Sequence, residues 1–226
     1  MNKQSPTVIF DLDGTLADTS GDLIEAANHC FKLMGHGALL DGKTDAAKAL
    51  RGGRAMLRLG LTRVDEASEE LLNRYYPILL DAYSNAISEH TKLFPGVRTC
   101  IGRLIEGGYK IGICTNKPEA LAHKLMVNLR FRYEFGSLVG ADTLPVRKPD
   151  PQTFYEAVRR VCGTPERACL VGDSITDHDT ARAAGVPSIL VDFGLADQDL
   201  AALKPDVLIT HFDQLESALD KVGLLP

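Results

Sequence analysis

Val8-Ile9-Phe10-Asp11-Leu12-Asp13-Gly14-Thr15-Leu16 is the stretch from which the fold is read. An apolar, β-prone run ends in two acids one residue apart, followed by a glycine. A strand apolar on both faces belongs inside a parallel sheet. Open α/β sheets bind ligands at the carboxyl ends of their strands. Period-two geometry sends Asp11 and Asp13 to opposite faces if the strand simply continues. Gly14 permits a turn, which lets the two acids converge on one site.

Downstream, the pattern divides in two. Ala17-Asp18-Thr19-Ser20 offers helix-capping residues, with Asp18 read as a cap or hinge residue. Leu23, Ala26, Ala27, Cys30, Phe31 and Met34 then recur at helical spacing until Gly35-His36-Gly37 breaks it. A second helix is predicted from Asp45 to Leu59 and a third from about Ser68 to Ile87, kinked at Pro77. Three helices without a strand between them form an insertion in the α/β alternation.

Lys92-Leu93-Phe94-Pro95-Gly96 closes that block as a turn and hinge. Helices near Val97–Glu106, Pro118–Leu129, Pro151–Cys162 and Thr176–Ala184 then alternate with strands at Lys110–Cys114, Ser137–Gly140, Ala168–Gly172 and Ser188–Asp192. Asp206–Ile209 adds an edge strand and Gln214–Val222 a last helix. This alternation implies an α/β fold, a doubly wound parallel sheet with right-handed crossovers. Residues 1–18 and 93–226 are expected to form the core, and 19–92 an inserted α-helical cap.

The 226 residues suffice for one large domain, or one domain with an insertion. A net charge of −5 gives no support for general nucleic-acid binding, and no aromatic-plus-basic strand platform is visible. The five cysteines lack paired-metal spacing. Cys114 and Cys169 lie in apolar runs and read as buried thiols in a reducing, cytoplasmic compartment. Met1-Asn2-Lys3-Gln4-Ser5-Pro6 lacks the apolar core of a signal peptide, and no apolar run approaches a membrane span.

Asp11-Leu12-Asp13-Gly14-Thr15-Leu16, Cys114-Thr115-Asn116-Lys117, Arg147-Lys148-Pro149-Asp150-Pro151 and Gly172-Asp173-Ser174-Ile175-Thr176-Asp177 follow one another in this order. Together they resemble the four motifs of the haloacid dehalogenase (HAD) superfamily of phosphohydrolases. The resemblance runs from near Thr7 to about Phe193 and is much less specific between Thr19 and Lys92. It implies a Rossmann-like core with a small helical cap, as in phosphoglycolate and sugar-phosphate phosphatases.

The resemblance implies a mechanism. Phosphate monoesters are extremely inert, and a carboxylate nucleophile splits the step through an aspartyl phosphate. Asp11 is the expected nucleophile. Asp173, at the same sheet edge, would hold Mg²⁺ with Asp11, and the family adds the backbone carbonyl of Asp13. Asp13 is the expected general acid and base, protonated when substrate arrives. Dehalogenases of this fold lack an acid there, which argues against carbon–halogen chemistry. Thr115 and Lys148 complete a phosphate clamp, with Asn116 contributing its backbone N–H or amide. Asp177 would orient Lys148 or a metal water. His178 reads as structural, since Mg²⁺ prefers oxygen ligands.

Substrate discrimination is expected from the cap. The run Lys43–Arg63 carries Lys43, Lys48, Arg51, Arg54, Arg58 and Arg63 against one acid, Asp45. It reads either as a steering field for an anion or as a solvated basic face. Leu50-Arg51-Gly52-Gly53-Arg54 loosely resembles the cap loop of phosphoglycolate-phosphatase-like members, making Arg51 and Arg54 candidates for substrate binding. The expected partner is a small phosphate ester, without nucleic acid or membrane, in a monomer or homodimer. Two alternatives remain. One is phosphotransfer of the β-phosphoglucomutase type, which shares Asp11 and Asp13. The other is a non-catalytic phosphometabolite sensor, which would normally have lost Asp11, Asp13 or Lys148.

Overall fold

The computed structural model describes residues 5–49, 51–193 and 199–226. Met1–Gln4, read above for a leader, and Leu50 of the glycine-containing loop lie outside them.

Strand β1 (Thr7–Phe10) is fully buried, as its two-sided apolar sequence requires. β4 (Lys110–Cys114) pairs with it on one side and β6 (Ala168–Gly172) on the other, both parallel. β5 (Ser137–Val139) extends the sheet beyond β4. β7 (Ser188–Val191) and β8 (Val207–Ile209) extend it beyond β6, giving the order β5-β4-β1-β6-β7-β8. The chain winds outward from β1 through β4 to β5, then returns to β6 and winds the other way. The winding reverses around β1, so the crevice at the carboxyl ends of β4, β1 and β6 is where this fold places ligands.

Helices α5 (Val97–Glu106), α6 (Glu119–Asn128), α7 (Gln152–Arg160), α8 (Ile175–Ala184) and α9 (Leu215–Lys221) make the connections and close the chain. Phe154, Ala157 and Val158 of α7 pack with Ile9, Val139, Leu170 and Ala181 in one buried cluster. Phe10 meets Phe135 edge-on and lies near Phe212, so aromatic side chains also surround the central strand. These elements fall within one or two residues of the boundaries read from the sequence.

The chain divides into two compact units, Met1–Ala17 with Leu93–Pro226, and Asp18–Lys92. It passes between them through β2 (Ala17–Asp18) and β3 (Lys92–Leu93), which pair as a two-stranded sheet. The second unit contains α1 (Ser20–Leu33), α2 (Ala46–Ala49), α3 (Gly53–Arg63) and α4 (Glu69–Asn85). The helix expected over 45–59 is therefore two helices. Gly52 lies between them at φ +93°, a left-handed backbone that a helix cannot continue through. α3 also runs four residues past the predicted end. α4 continues through Pro77.

Two buried polar side chains of this unit tie its segments together. Asp22 accepts from the backbone N–H groups of His90 and Thr91 and from the Thr91 hydroxyl, tying the returning chain to α1. Asn28 accepts from the N–H of Leu39 and Leu40 and donates to the Leu40 carbonyl. Asp18 accepts from the Ser20 N–H and hydroxyl at the start of α1, which is the capping role read for it.

Candidate active site

Asp11 follows β1 directly, and its N–H still donates to the Val171 carbonyl at 2.9 Å, extending the ladder by one residue. Thr115 does the same after β4, donating to the Val139 carbonyl. Asp173 follows β6. The in-register parallel pairing of β4, β1 and β6 thus brings three separated motifs to one edge.

Two glycines make the close approach possible. Gly14 turns the chain at φ +84°, and a Cβ there would overlap the Asp173 carboxylate. A Cβ at Gly172 would overlap the side chain of Asp177. Asp177 reaches that position because α8 starts with a capping box. The Ser174 hydroxyl accepts from the Asp177 N–H and donates to Asp177 Oδ2 at 2.6 Å. The N–H groups of Asp173 and Ser174 donate to the same oxygen.

Lys148 is buried between two acids. Its Nζ lies 2.6 Å from Asp177 Oδ1 and 3.0 Å from Asp11 Oδ1. Thr15 donates to Asp173 Oδ1 at 2.6 Å. Asp13 Oδ1 lies 2.5 Å from Lys117 Nζ. The Thr115 hydroxyl accepts from the Lys117 N–H, which leaves its own hydrogen for a ligand. The Asn116 amide donates to the Lys148 carbonyl, so it braces the lysine-bearing loop. His178 is buried away from this constellation, its Nδ1 3.2 Å from the Ser188 hydroxyl.

The electrostatics record a shortage of positive charge. Burial pushes the Asp11 carboxyl up to about 6, with Asp177 and Asp13 adding to the rise against the opposing pull of Lys148. Burial, then Asp177 and Asp11, hold Asp173 well above the usual carboxylate range. Burial opposes the charge on Lys148, but Asp11 and Asp177 outweigh it and hold the ammonium well above its ordinary value. Four carboxylates (Asp11, Asp13, Asp173, Asp177) face two ammonium groups (Lys117, Lys148). Carboxylate oxygens of Asp11, Asp173 and Asp177 lie within 4.8 Å of one another. An all-oxygen donor set, buried and short of positive charge, fits a hard divalent cation. Both Asp177 oxygens are already engaged, which leaves Asp11 and Asp173 as the better-disposed ligands.

Lys117 and Thr15 had no role in the sequence reading. Both lie inside the quoted motifs. The available signal for Lys117 was a lysine between a buried strand and Pro118.

The basic run of the second unit is ion-paired within that unit. Arg54 donates to Glu69 at 2.6 Å and to Asn73, and Arg58 donates to Glu69. Arg63 makes a bidentate pair with buried Asp45. Arg54 and Arg58 thus share an exposed acid, while Arg63 is held by a buried one. Glu69 lies outside the run, on the next helix, whereas Asp45 lies within it. Arg51 is exposed in the turn before α3.

Residues 8–191 match the family model described as haloacid dehalogenase-like hydrolase. The chain is 38% identical over 219 residues to a phosphoglycolate phosphatase of Mesorhizobium japonicum, covering 93% of this chain and 92% of that one. It is 35% identical over 217 residues to a phosphoglycolate phosphatase of Agrobacterium fabrum, covering 95% and 92%. Among solved structures, a predicted phosphoglycolate phosphatase from Haemophilus somnus superposes with a TM-score of 0.80 at 22% identity, covering 96% of this chain and 99% of that one.

Proposed function

The chain belongs to the haloacid dehalogenase-like hydrolases, and from that premise we propose that it is a Mg²⁺-dependent phosphatase of phosphoglycolate or a closely similar phosphorylated acid. One observation carries the reading: Asp11, Asp13, Asp173 and Asp177 converge with Lys117 and Lys148 at the carboxyl edge of β4, β1 and β6. The substrate class follows the activity named for the curated relatives.

Asp11 attacks phosphorus through a carboxylate oxygen, and the ester P–O bond breaks to leave an aspartyl phosphate. Asp13 gives its proton to the departing alkoxide. Asp13 then takes a proton from the water that attacks phosphorus, and the bond to Asp11 breaks to release inorganic phosphate. Lys148 neutralises Asp11 and the transferring phosphoryl group, and the Thr115 hydroxyl and the Asn116 backbone N–H hold its oxygens. Asp11, Asp173 and the Asp13 carbonyl would hold the cation, which supplies charge neutralisation as an anionic substrate arrives. Asp177 keeps Lys148 in place.

Residues 19–92 act as the cap that supplies discrimination, and Arg51, exposed in the turn before α3, is the residue proposed to meet an acidic group on the substrate. Arg54 is already committed to Glu69 and Asn73. The five cysteines are free thiols, four of them buried, in keeping with a cytoplasmic, reducing location. Among the described residues, no helix is long and apolar enough to cross a membrane.

The test is phosphate release from a panel of phosphorylated metabolites. Phosphoglycolate should rank at or near the top. EDTA should abolish turnover and Mg²⁺ restore it. Asp11→Asn should be inactive while folded. Full turnover in EDTA or substantial turnover by Asp11→Asn would overturn the mechanism.

A further inference from the structure

We infer that Lys117 is the positioning residue for Asp13, fixing the carboxyl that serves the leaving group and the hydrolytic water. The inference rests on the reading of Asp13 as the acid and base.

The two lysines of the site divide its acids between them. Lys148 stands between Asp11 and Asp177. Lys117 stands 2.5 Å from Asp13 Oδ1. Its side chain is only 5% exposed, so its ammonium is held in a region where a lysine needs a charged partner. The loop that carries it is pinned. The Lys117 N–H donates to Thr115 Oγ1 at 3.2 Å, and its carbonyl accepts from the Ala141 N–H at 3.0 Å. Pro118 follows with its φ fixed by the ring, and α6 starts at the next residue.

The Asp13 backbone is equally fixed. The turn is closed by Gly14 N–H to the Ala17 carbonyl and by Leu16 and Ala17 N–H to the Leu12 carbonyl. What remains to be set is the torsion of a side chain 14% exposed at the site. An aspartate side chain has several staggered rotamers in general, and the ion pair with Lys117 selects among them. A general acid must hold its oxygen within hydrogen-bond reach of the leaving oxygen, so an unset rotamer loses rate. A charge-assisted bond from an immobile lysine removes that freedom. Lys117 thus acts through Asp13.

The experiment measures kcat/KM over a series of phosphate monoesters graded in leaving-group pKa, with Mg²⁺ saturating. Wild type, Asp13→Ala, Lys117→Met, Lys117→Arg and the Asp13→Ala/Lys117→Met double variant are compared. Lys117→Met should lower kcat/KM for alkyl phosphates about 100-fold, the scale of general acid catalysis. Aryl phosphates with acidic phenols need no acid and should lose less than about threefold. Lys117→Arg should recover much of the alkyl activity. The double variant should be no worse than Asp13→Ala alone, because the two residues act as one unit. Lys117→Gln, which keeps a neutral donor, is read in the same way should Lys117→Met fail to fold. Equal losses across the series would overturn the inference, since Lys117 would then act on the phosphoryl group itself. Unchanged kinetics or additive losses would overturn it as well. A flat series in Asp13→Ala would overturn the acid–base reading of Asp13, whatever Lys117 does. A steep series in Asp13→Ala with a flat one in Lys117→Met removes the inference alone.

Discussion

At the scale of single residues, the site is a set of charges that do not balance without a cation. Asp11 shows the consequence. Its carboxyl sits at about 6 in the fold against 3.8 for the ordinary group, chiefly because it is buried. Between those values the folded chain binds a proton that the unfolded chain releases. The contribution of Asp11 to stability therefore falls as pH rises through that window, and returns as pH is lowered. In EDTA, lowering the pH from about 7 to about 5 should raise the melting temperature relative to the same scan in saturating Mg²⁺, where the ligated carboxylates stay ionised. Calorimetry on the paired samples checks this, and parallel pH profiles would count against it. Protons and cation compete for the same oxygens, so Mg²⁺ should also bind more weakly below about pH 6.

At the scale of elements, what matters is how each helix start or turn aims a side chain. The capping box of α8 joins stability to function, because the Ser174 hydroxyl that caps the helix also holds the Asp177 oxygen opposite the one bound by Lys148. Ser174→Ala should cost about 1 kcal/mol by denaturant titration, the usual worth of such a cap. It should also lower kcat through a less constrained Lys148. A stability loss with unchanged kcat would limit the serine to capping. In the second unit, the arginines should separate by the burial of their partners. Glu69 is exposed, so Arg54→Ala should change stability by less than about 1 kcal/mol. Asp45 is 1% exposed and Arg63 39%. Arg63→Ala should therefore cost about 2 kcal/mol, between an exposed pair and a fully buried one. Similar midpoints for the two variants would contradict this ordering.

At the scale of the whole molecule, one parallel sheet gathers the candidate catalytic residues, while the second unit is proposed to read the substrate. On the proposed function the core residues recognise a phosphoryl group, which every candidate substrate carries, so discrimination comes from elsewhere. Arg51, exposed in the glycine-containing loop, is the residue proposed for that role. Losing one charge-assisted contact to a substrate carboxylate costs about 1.5–3 kcal/mol, or on the order of ten- to a hundredfold in kcat/KM. Arg51→Ala should show that loss with the best acidic phosphate ester and little change with a neutral aryl phosphate. Equal losses on both substrates would assign Arg51 to the fold or to the phosphoryl group. No loss on either would leave the acidic group to another contact.

The sequence by itself determined the sheet and the edge where its chemistry lies. Residues 8–10 are apolar on both faces and end in an acid, and strands of that kind are typical of a buried parallel sheet. The alternation after residue 96 set the remaining strands in order, because period-two and period-3.6 patterns are local properties of the chain. Gly14 foretold the turn that brings Asp13 back toward Asp11. The break at Gly52 was present as two adjacent glycines, but a glycine inside a helical pattern does not announce the sign of its φ. Which charges meet was decided only in three dimensions. Glu69 takes Arg54 and Arg58 from another helix, and Lys117 reaches Asp13 from the loop after β4, about a hundred residues away. A side chain's partner depends on which strands are neighbours and on a reach of a few ångströms, and neither is written in residue order. Periodicity reports how a segment meets its core; pairing between segments exists only once the sheet has brought them together.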